Sequence, residues 1–198
     1  MALVHSIANR LWQWRNRPAA RRFRAALDHV ASAQEERLHT YLRRNAETEF
    51  GRRHAFDSIT NFAAFRDRVP LHDYDDLAPY VDRIRDGHPN VLTRERVIRL
   101  MPSSGSTRAA KLIPYTRSLQ AEFNNAIAPW IDDLYRRDPH LINGPAYWSI
   151  SPNLPRDTQP SRVPIGYAAD SAYLGGLQQR LVNAVMAVPD LVAVSYTH

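Results

Sequence analysis

The apolar positions of this chain change period several times, and each change marks an element. Leu3, Val4, Ile7, Leu11, Trp12 and Trp14 fall at helical spacing and predict an apolar stripe on a first helix. Phe23, Leu27, Val30, Leu38, Tyr41 and Leu42 keep that spacing, with Gln34 as the polar interruption. They predict one long amphipathic helix carrying Arg21, Arg22, Arg24, Arg37, Arg43 and Arg44 on its solvated face. Short helices follow. Thr60 can cap one that runs through Asp67, buries Phe62 and Phe65 and ends before Pro70. Asp73 is placed to cap the next. Asp75 and Asp76 stand in its first turn, where the helix dipole favours negative charge; Pro79 splits or kinks it, and Gly87 closes it.

The pattern then shifts to strands. Val97 to Met101 and Leu112 to Tyr115 gather β-branched and aromatic residues between polar clusters. A second helical repeat runs through Leu119, Phe123, Ile127, Trp130, Ile131 and Leu134 to Tyr135, with a bend near Pro129. Ala146 to Ile150 reads as another strand and Ser151 to Pro164 as a proline-rich surface connection. Tyr173, Leu174, Leu177, Leu181, Ala184 and Val188 read as a helix weakened by Gly175 and Gly176, and Val192 to Val194 as the start of a strand. There is no internal repeat and no convincing linker, so the pattern predicts a single α/β domain: 1–90 mainly helical, 91–198 a strand-loop-strand unit leading into a mixed sheet with helices.

Composition narrows the options. A chain of 198 residues, 44% hydrophobic and 23% charged, can bury an ordinary core. The absence of cysteine excludes disulfides, cysteine zinc sites and thiol catalysis and fits a reducing compartment. Eight histidines are scattered without paired metal-ligand spacing, so no metal residues are singled out. The first residues lack an apolar run long enough for a secretory signal or a membrane span, which predicts a cytoplasmic protein; a helix lying on a membrane surface is the alternative to one docked on its own domain. The net charge of +6 is wholly N-terminal, because residues 1–54 hold 11 arginines against five acidic residues and the remainder balances. A basic arm of this kind can neutralise the phosphates of nucleic acid or anionic lipid. Helical spacing makes the arginines a solvated face instead, no aromatics interleave them, and no nucleic-acid partner is expected.

The candidate chemistry lies between the two strands, in Ser103, Ser104, Gly105, Ser106, Thr107, Arg108, Ala109, Ala110 and Lys111. Small hydroxylated residues let a backbone curl until its N–H groups converge, making a donor surface suited to phosphate oxygens. The same composition also makes ordinary exposed connections. Lys111 adds weight to the phosphate reading without closing the other: 25 of the 26 basic residues are arginine, so it is the only lysine, a compact charge where the chain otherwise writes guanidinium. This is not a Walker A loop, because Ala110 and Leu112 flank the lysine where glycine and Ser or Thr are required.

The loop and its following strand, Ser103 to Thr116, resemble the nucleotide loop of the acyl-acid amido synthetases named for the plant auxin-responsive Gretchen Hagen genes, members of the adenylate-forming ligase superfamily. Asn45 to His54, Phe65 to Pro70 and Tyr74 to Ile84 are similar to that family in order and spacing, and Tyr147 to Pro152 resembles its bacterial branch. The resemblance implies a ligase that uses ATP and Mg²⁺ to convert a carboxylic acid into an acyl-adenylate, then passes the acyl group to an amine such as an amino acid. On this view Ser103, Ser104, Gly105, Ser106, Thr107 and Lys111 hold the β- and γ-phosphates. No general base is needed in the first step, since a carboxylate is already ionised at neutral pH. The acyl substrate would lie near the helix carrying Trp130, a residue whose own spacing reads as core. Arg108, Ala109 and Ala110 stand where many members have glycine, which predicts a stiffer loop. The implied fold is longer than this chain, with adenine and ribose contacts, a Mg²⁺-handling glutamate and a mobile C-terminal domain further on. The expectation is therefore an incomplete, N-terminal part of an adenylate-forming, acyl-CoA synthetase-like domain, inactive by itself. The alternatives are an inert nucleotide-binding remnant and a basic helical module for nucleic acid or anionic surfaces.

Overall fold

In the computed structural model the described residues are 2–103, 111–147, 160–166 and 174–187. They belong to two compact units: Met1–Leu27, Ser118–Leu154 and Tyr167–His198 form the first, Asp28–Arg117 and Pro155–Gly166 the second.

In the first unit, α1 (Ala2–Leu27) turns Ala8, Asn9, Trp12, Gln13, Asn16 and Ala20 inward at helical spacing. Trp12 packs with Ile131 and Tyr135 of α6 (Arg117–Arg137), with Ile142 of the 3₁₀ turn Pro139–Asn143, and with Leu174 and Val182 on and before α7 (Gly176–Val185). Asn9 can be buried because both its amide nitrogen and its oxygen find partners inside. Its amide donates to the carbonyls of Ile142 at 2.9 Å and Gly144 at 3.0 Å, and its oxygen accepts from the Tyr135 hydroxyl at 2.8 Å. Burial pushes the Tyr135 hydroxyl pKa up to about 12.

The stripe predicted across residues 23 to 42 is not one helix. The chain breaks at Asp28 and His29, where His29 (φ −140°, ψ 50°) leaves the helical region, and α2 (Val30–Asn45) then starts without a side-chain cap. Phe23, Leu27, Val30 and Tyr41 are exposed and only Leu42 is buried, so the continuous spacing does not mark a continuous core face. Arg24, read as solvated, pairs with the buried carboxylate of Asp132. In the N-terminal stripe only Trp12 is buried; Leu3, Val4, Ile7, Leu11 and Trp14 face outward. Trp130 is likewise exposed rather than core. Gly175 and Gly176 do not weaken α7 from within. Both have positive φ, 62° and 53°, and they turn the chain into the helix, which begins at the second of them.

The second unit opens with α2 and α3 (Glu49–Arg53), the latter capped by Thr48, whose hydroxyl accepts from the Gly51 N–H at 2.9 Å. A 3₁₀ turn at Phe56–Ser58 leads to α4 (Phe62–Arg68). Asn61, not Thr60, caps α4, accepting from the Ala64 N–H at 2.9 Å; this puts Phe62 at the first helical position, where it is exposed. α5 (Tyr74–Arg85) is continuous through Pro79, whose missing N–H forfeits one bond near the helix start while Tyr80, Val81 and Ile84 hold the helix in the core. It ends as predicted. Gly87, at φ 87°, donates to the Ile84 carbonyl and His88 to the Arg83 carbonyl, the paired bonds of a Schellman closure. The core of this unit is Tyr80, Val81, Ile84, Val91, Leu100 and Leu112.

The two predicted strands are present as β1 (Arg99–Pro102) and β2 (Leu112–Tyr115). They pair antiparallel in a two-stranded sheet, and on its other side β1 meets Ile165 only in an isolated parallel bridge, so among the described residues the expected mixed sheet is reduced to this antiparallel pair. Ala146, expected to open a strand, forms a parallel bridge with Met186. The expectations for residues 148–159, for Tyr173 and for 188–198 lie outside the described residues. Among the described residues no helix is long and apolar enough to cross a membrane.

Candidate functional site

The site is built on the β1–β2 pair. The register sets Arg99 against Tyr115, Leu100 against Pro114, Met101 against Ile113 and Pro102 against Leu112. One further rung follows, in which the Ser103 N–H donates to the Lys111 carbonyl at 2.8 Å. The connection between the strands therefore leaves and returns at adjacent points. β1 is clamped from the other side as well. The Leu100 N–H donates to the Pro164 carbonyl and the Gly166 N–H to the Leu100 carbonyl, both at 2.8 Å. Leu100, Met101, Leu112 and Tyr115 are buried, which fixes the base of the loop to the core while Ser103 is half-buried and Lys111 exposed.

The second support is the start of α5. Asp73 accepts from the Asp76 N–H at 3.1 Å and the Asp76 carboxylate accepts from the Asp73 N–H at 3.0 Å, a reciprocal capping box. The acidic cluster is thus a helix start, as its spacing predicts. The box places Tyr74 at the first helical position with its hydroxyl against β2, where it accepts from the Leu112 N–H at 2.8 Å. The Tyr74 ring lies beneath the Lys111 ammonium, 5.5 Å from Nζ to the ring centroid. Among the described residues no carboxylate forms an ion pair with Lys111, although three aspartates stand in or beside the first turn of α5.

Of the residues singled out in the sequence, the structure brings Ser103 and Lys111 together at the base of the loop. The Ser103 N–H is engaged there, which leaves its hydroxyl as the group it can offer an anion. Ser104, Gly105, Ser106 and Thr107, together with Arg108, Ala109 and Ala110, lie outside the described residues. Tyr74 joins the site and was not among the predicted residues. The available signal was its place directly after a strong N-cap. Among the described residues no group of three or more His, Cys, Asp or Glu converges on a point where a metal ion could sit.

Comparison with solved structures identifies the fold. One acyl acid amido synthetase, GH3.15, superposes with a TM-score of 0.62 at 21% identity over 85% of this chain and 30% of its own. A structure of AtGH3.15 acyl acid amido synthetase in complex with 2,4-DB superposes with a TM-score of 0.58 at 23% identity over 72% of this chain and 25% of its own. At those identities the likeness shows the fold alone, which is that of a part of these acyl acid amido synthetases.

A family model described as the GH3 family N-terminal domain matches residues 19–197, and the chain belongs to the GH3 family. It is 40% identical over 87 residues to an indole-3-acetic acid-amido synthetase, GH3.8, of Oryza sativa subsp. indica, across 43% of this chain and 14% of the relative. It is 39% identical over 83 residues to a jasmonoyl–L-amino acid synthetase, GH3.3, of Oryza sativa subsp. japonica, across 41% and 18%. With the Arabidopsis thaliana indole-3-acetic acid-amido synthetase GH3.15 it shares 34% identity over 120 residues, across 58% and 20%. The chain thus spans a quarter or less of the length of these relatives.

Proposed function

We propose that this chain supplies the first phosphate-binding loop of an ATP-dependent ligase that activates a carboxylic acid as its acyl-adenylate and conjugates it to an amine such as an amino acid. The observation that carries the reading is the exposed Lys111, the only lysine, held at the mouth of a two-strand clamp and without a carboxylate partner among the described residues, in a chain of a family whose relatives are named amido synthetases. An ammonium without a carboxylate partner among the described residues, close in sequence to a Ser-Gly-Ser-Thr segment, is suited to phosphate oxygens. It would hold the β- and γ-phosphates and offset the charge that builds on departing pyrophosphate. The carboxylate needs no base to attack the α-phosphorus, so the work of this region is binding and orientation. Mg²⁺ would accompany ATP and supply further charge compensation, and no residue described here is assigned to it.

The test is Lys111→Ala in the full chain, with ATP affinity measured by calorimetry and, where the activity is present, carboxylate-dependent exchange between ATP and pyrophosphate. Charge-assisted contacts of this kind are worth roughly 1.5–3 kcal/mol, so affinity or exchange should fall about tenfold to hundredfold. Lys111→Arg should restore it in part, because a planar guanidinium cannot reproduce a compact ammonium. Unchanged affinity and exchange in Lys111→Ala would remove the reason for assigning the loop to ATP.

A second reading is favoured by α1. Its outward face carries Leu3, Val4, Ile7, Leu11 and Trp14, followed by Arg15, Arg17 and Arg21, and its sequence contains no acidic residue. Such a face suits an anionic lipid surface. Binding to anionic vesicles that falls steeply with salt would support it, and equal retention by neutral vesicles would oppose it.

A further inference from the structure

We propose that Tyr74 is a positioning residue for Lys111, presenting its ammonium to the phosphates of ATP and keeping it from the acidic helix start next to it. The proposal rests on the ATP reading above for its functional half and on geometry for its structural half.

A lysine on a strand edge has four rotatable bonds and would be drawn to the nearest carboxylate. Here Asp73, Asp75 and Asp76 lie on either side of Tyr74 in sequence, at the positive end of α5. Two of these three are already occupied: Asp73 and Asp76 each accept the other's backbone N–H in the capping box. The ammonium sits instead over the Tyr74 ring, at 5.5 Å from its centroid. A ring face attracts a cation without neutralising it, so the full charge stays available to an incoming anion. A carboxylate partner would have to be displaced first.

Tyr74 is itself fixed at its far end. Its hydroxyl accepts from the N–H of Leu112, the residue after Lys111, and Leu112 is a buried first residue of β2. One side chain therefore sets both the backbone that carries the lysine and the direction of its charge. The helix start, the ring and the lysine form a series: the capping box orders Tyr74, and Tyr74 orders Lys111.

The only lysine in the chain makes the contact observable without any activity. Reductive methylation with ¹³C-formaldehyde labels Lys111 and the terminal amine, and the two dimethyl signals are distinct. In the folded parent the dimethyl-lysine signal should lie upfield of its position in denaturant, because the methyls sit over the tyrosine ring. Tyr74→Leu should abolish the displacement and Tyr74→Phe should keep it. Absence of any displacement in the folded parent would overturn the proposal, even if the leucine variant failed to fold.

The functional half is read with ATP and Mg²⁺ by calorimetry. Tyr74→Leu should weaken ATP binding about twofold to fivefold, the equivalent of ~0.5–1 kcal/mol for a cation over a ring at an exposed site. In the Lys111→Ala background the same substitution should have no further effect. An equal loss in both backgrounds would mean that Tyr74 only supports the fold, and would refute positioning. If neither Lys111→Ala nor Tyr74→Leu changes ATP affinity while the upfield signal is present, the ATP reading fails and the ring contact stands.

Discussion

Replacement of Asp73 separates two meanings of an acidic cluster. Asp73, Asp75 and Asp76 could be taken for a metal or acid–base site, whereas the structure makes Asp73 and Asp76 the two halves of a capping box. Asp73→Ala removes the acceptor of the Asp76 N–H and one negative charge from the positive end of α5. Loss of a side-chain cap costs about 1 kcal/mol, within roughly 0.5–2, and the lost charge–dipole term adds a few tenths at an exposed site. The Asp76 carboxylate can still accept from the residue 73 N–H, so the box is halved and the expected destabilisation is about 1–1.5 kcal/mol. Asp73→Asn keeps a capping oxygen and loses only the charge, and should cost less than about 0.5 kcal/mol. Urea unfolding of the three proteins, followed by far-ultraviolet circular dichroism, gives the differences from midpoints at constant slope. Tyr80, Val81 and Ile84 tie α5 to the core, so the whole second unit should report the change. Equal loss in the alanine and asparagine variants, or none in either, would refute capping as the role of Asp73.

Two further outcomes follow from individual positions. A Cβ on Gly51 would lie 2.0 Å from the Asn45 carbonyl oxygen and 2.9 Å from that of Ala46, so backbone must move; Gly51→Ala should destabilise by about 1–3 kcal/mol in the same urea assay, whereas Gly144→Ala, whose Cβ would meet nothing closer than 3.9 Å, should be near neutral. The Tyr135 hydroxyl has its pKa raised from 10.0 to about 12 by burial, so its contribution is complete below pH 10 and lost as pH rises through about 12. The parent should therefore lose stability across that window more steeply than Tyr135→Phe, and equal slopes would refute burial of the neutral phenol.

What could be read from the sequence, and what could not, divides by range. The α5 box and its glycine closure are local: Asp73 with Asp76 three residues on, and Gly87 two residues past the last helical position, carry their own physical cause. The two strands are legible for the same reason, since short apolar runs bounded by polar clusters have few other uses. Competition between neighbours was harder. Thr60 and Asn61 are both good caps, and only the backbone at Asn61, extended at φ −159°, decides which oxygen reaches Ala64. The break at Asp28 and His29 was hidden because the apolar spacing runs on through it, although the two helices it joins belong to different compact units. Gly175 and Gly176 read as defects inside a helix because composition does not reveal a positive φ, which makes them its entry turn.

The site adds a longer range. Lys111 was visible as a compositional exception, a property of the chain counted as a whole. Tyr74 was not, because its role depends on a strand 38 positions away that no periodicity links to it. Its hydroxyl meets the Leu112 N–H only because Leu112 is drawn into the core with Leu100, Tyr80 and Ile84, and its ring reaches Lys111 only because α5 begins where the capping box begins it. The buried cluster positions the strand, the cap positions the tyrosine, and the lysine lies where the two meet. The position of Lys111 thus depends on residues well outside the loop, so substitutions at Asp73 and Tyr74 should be felt there.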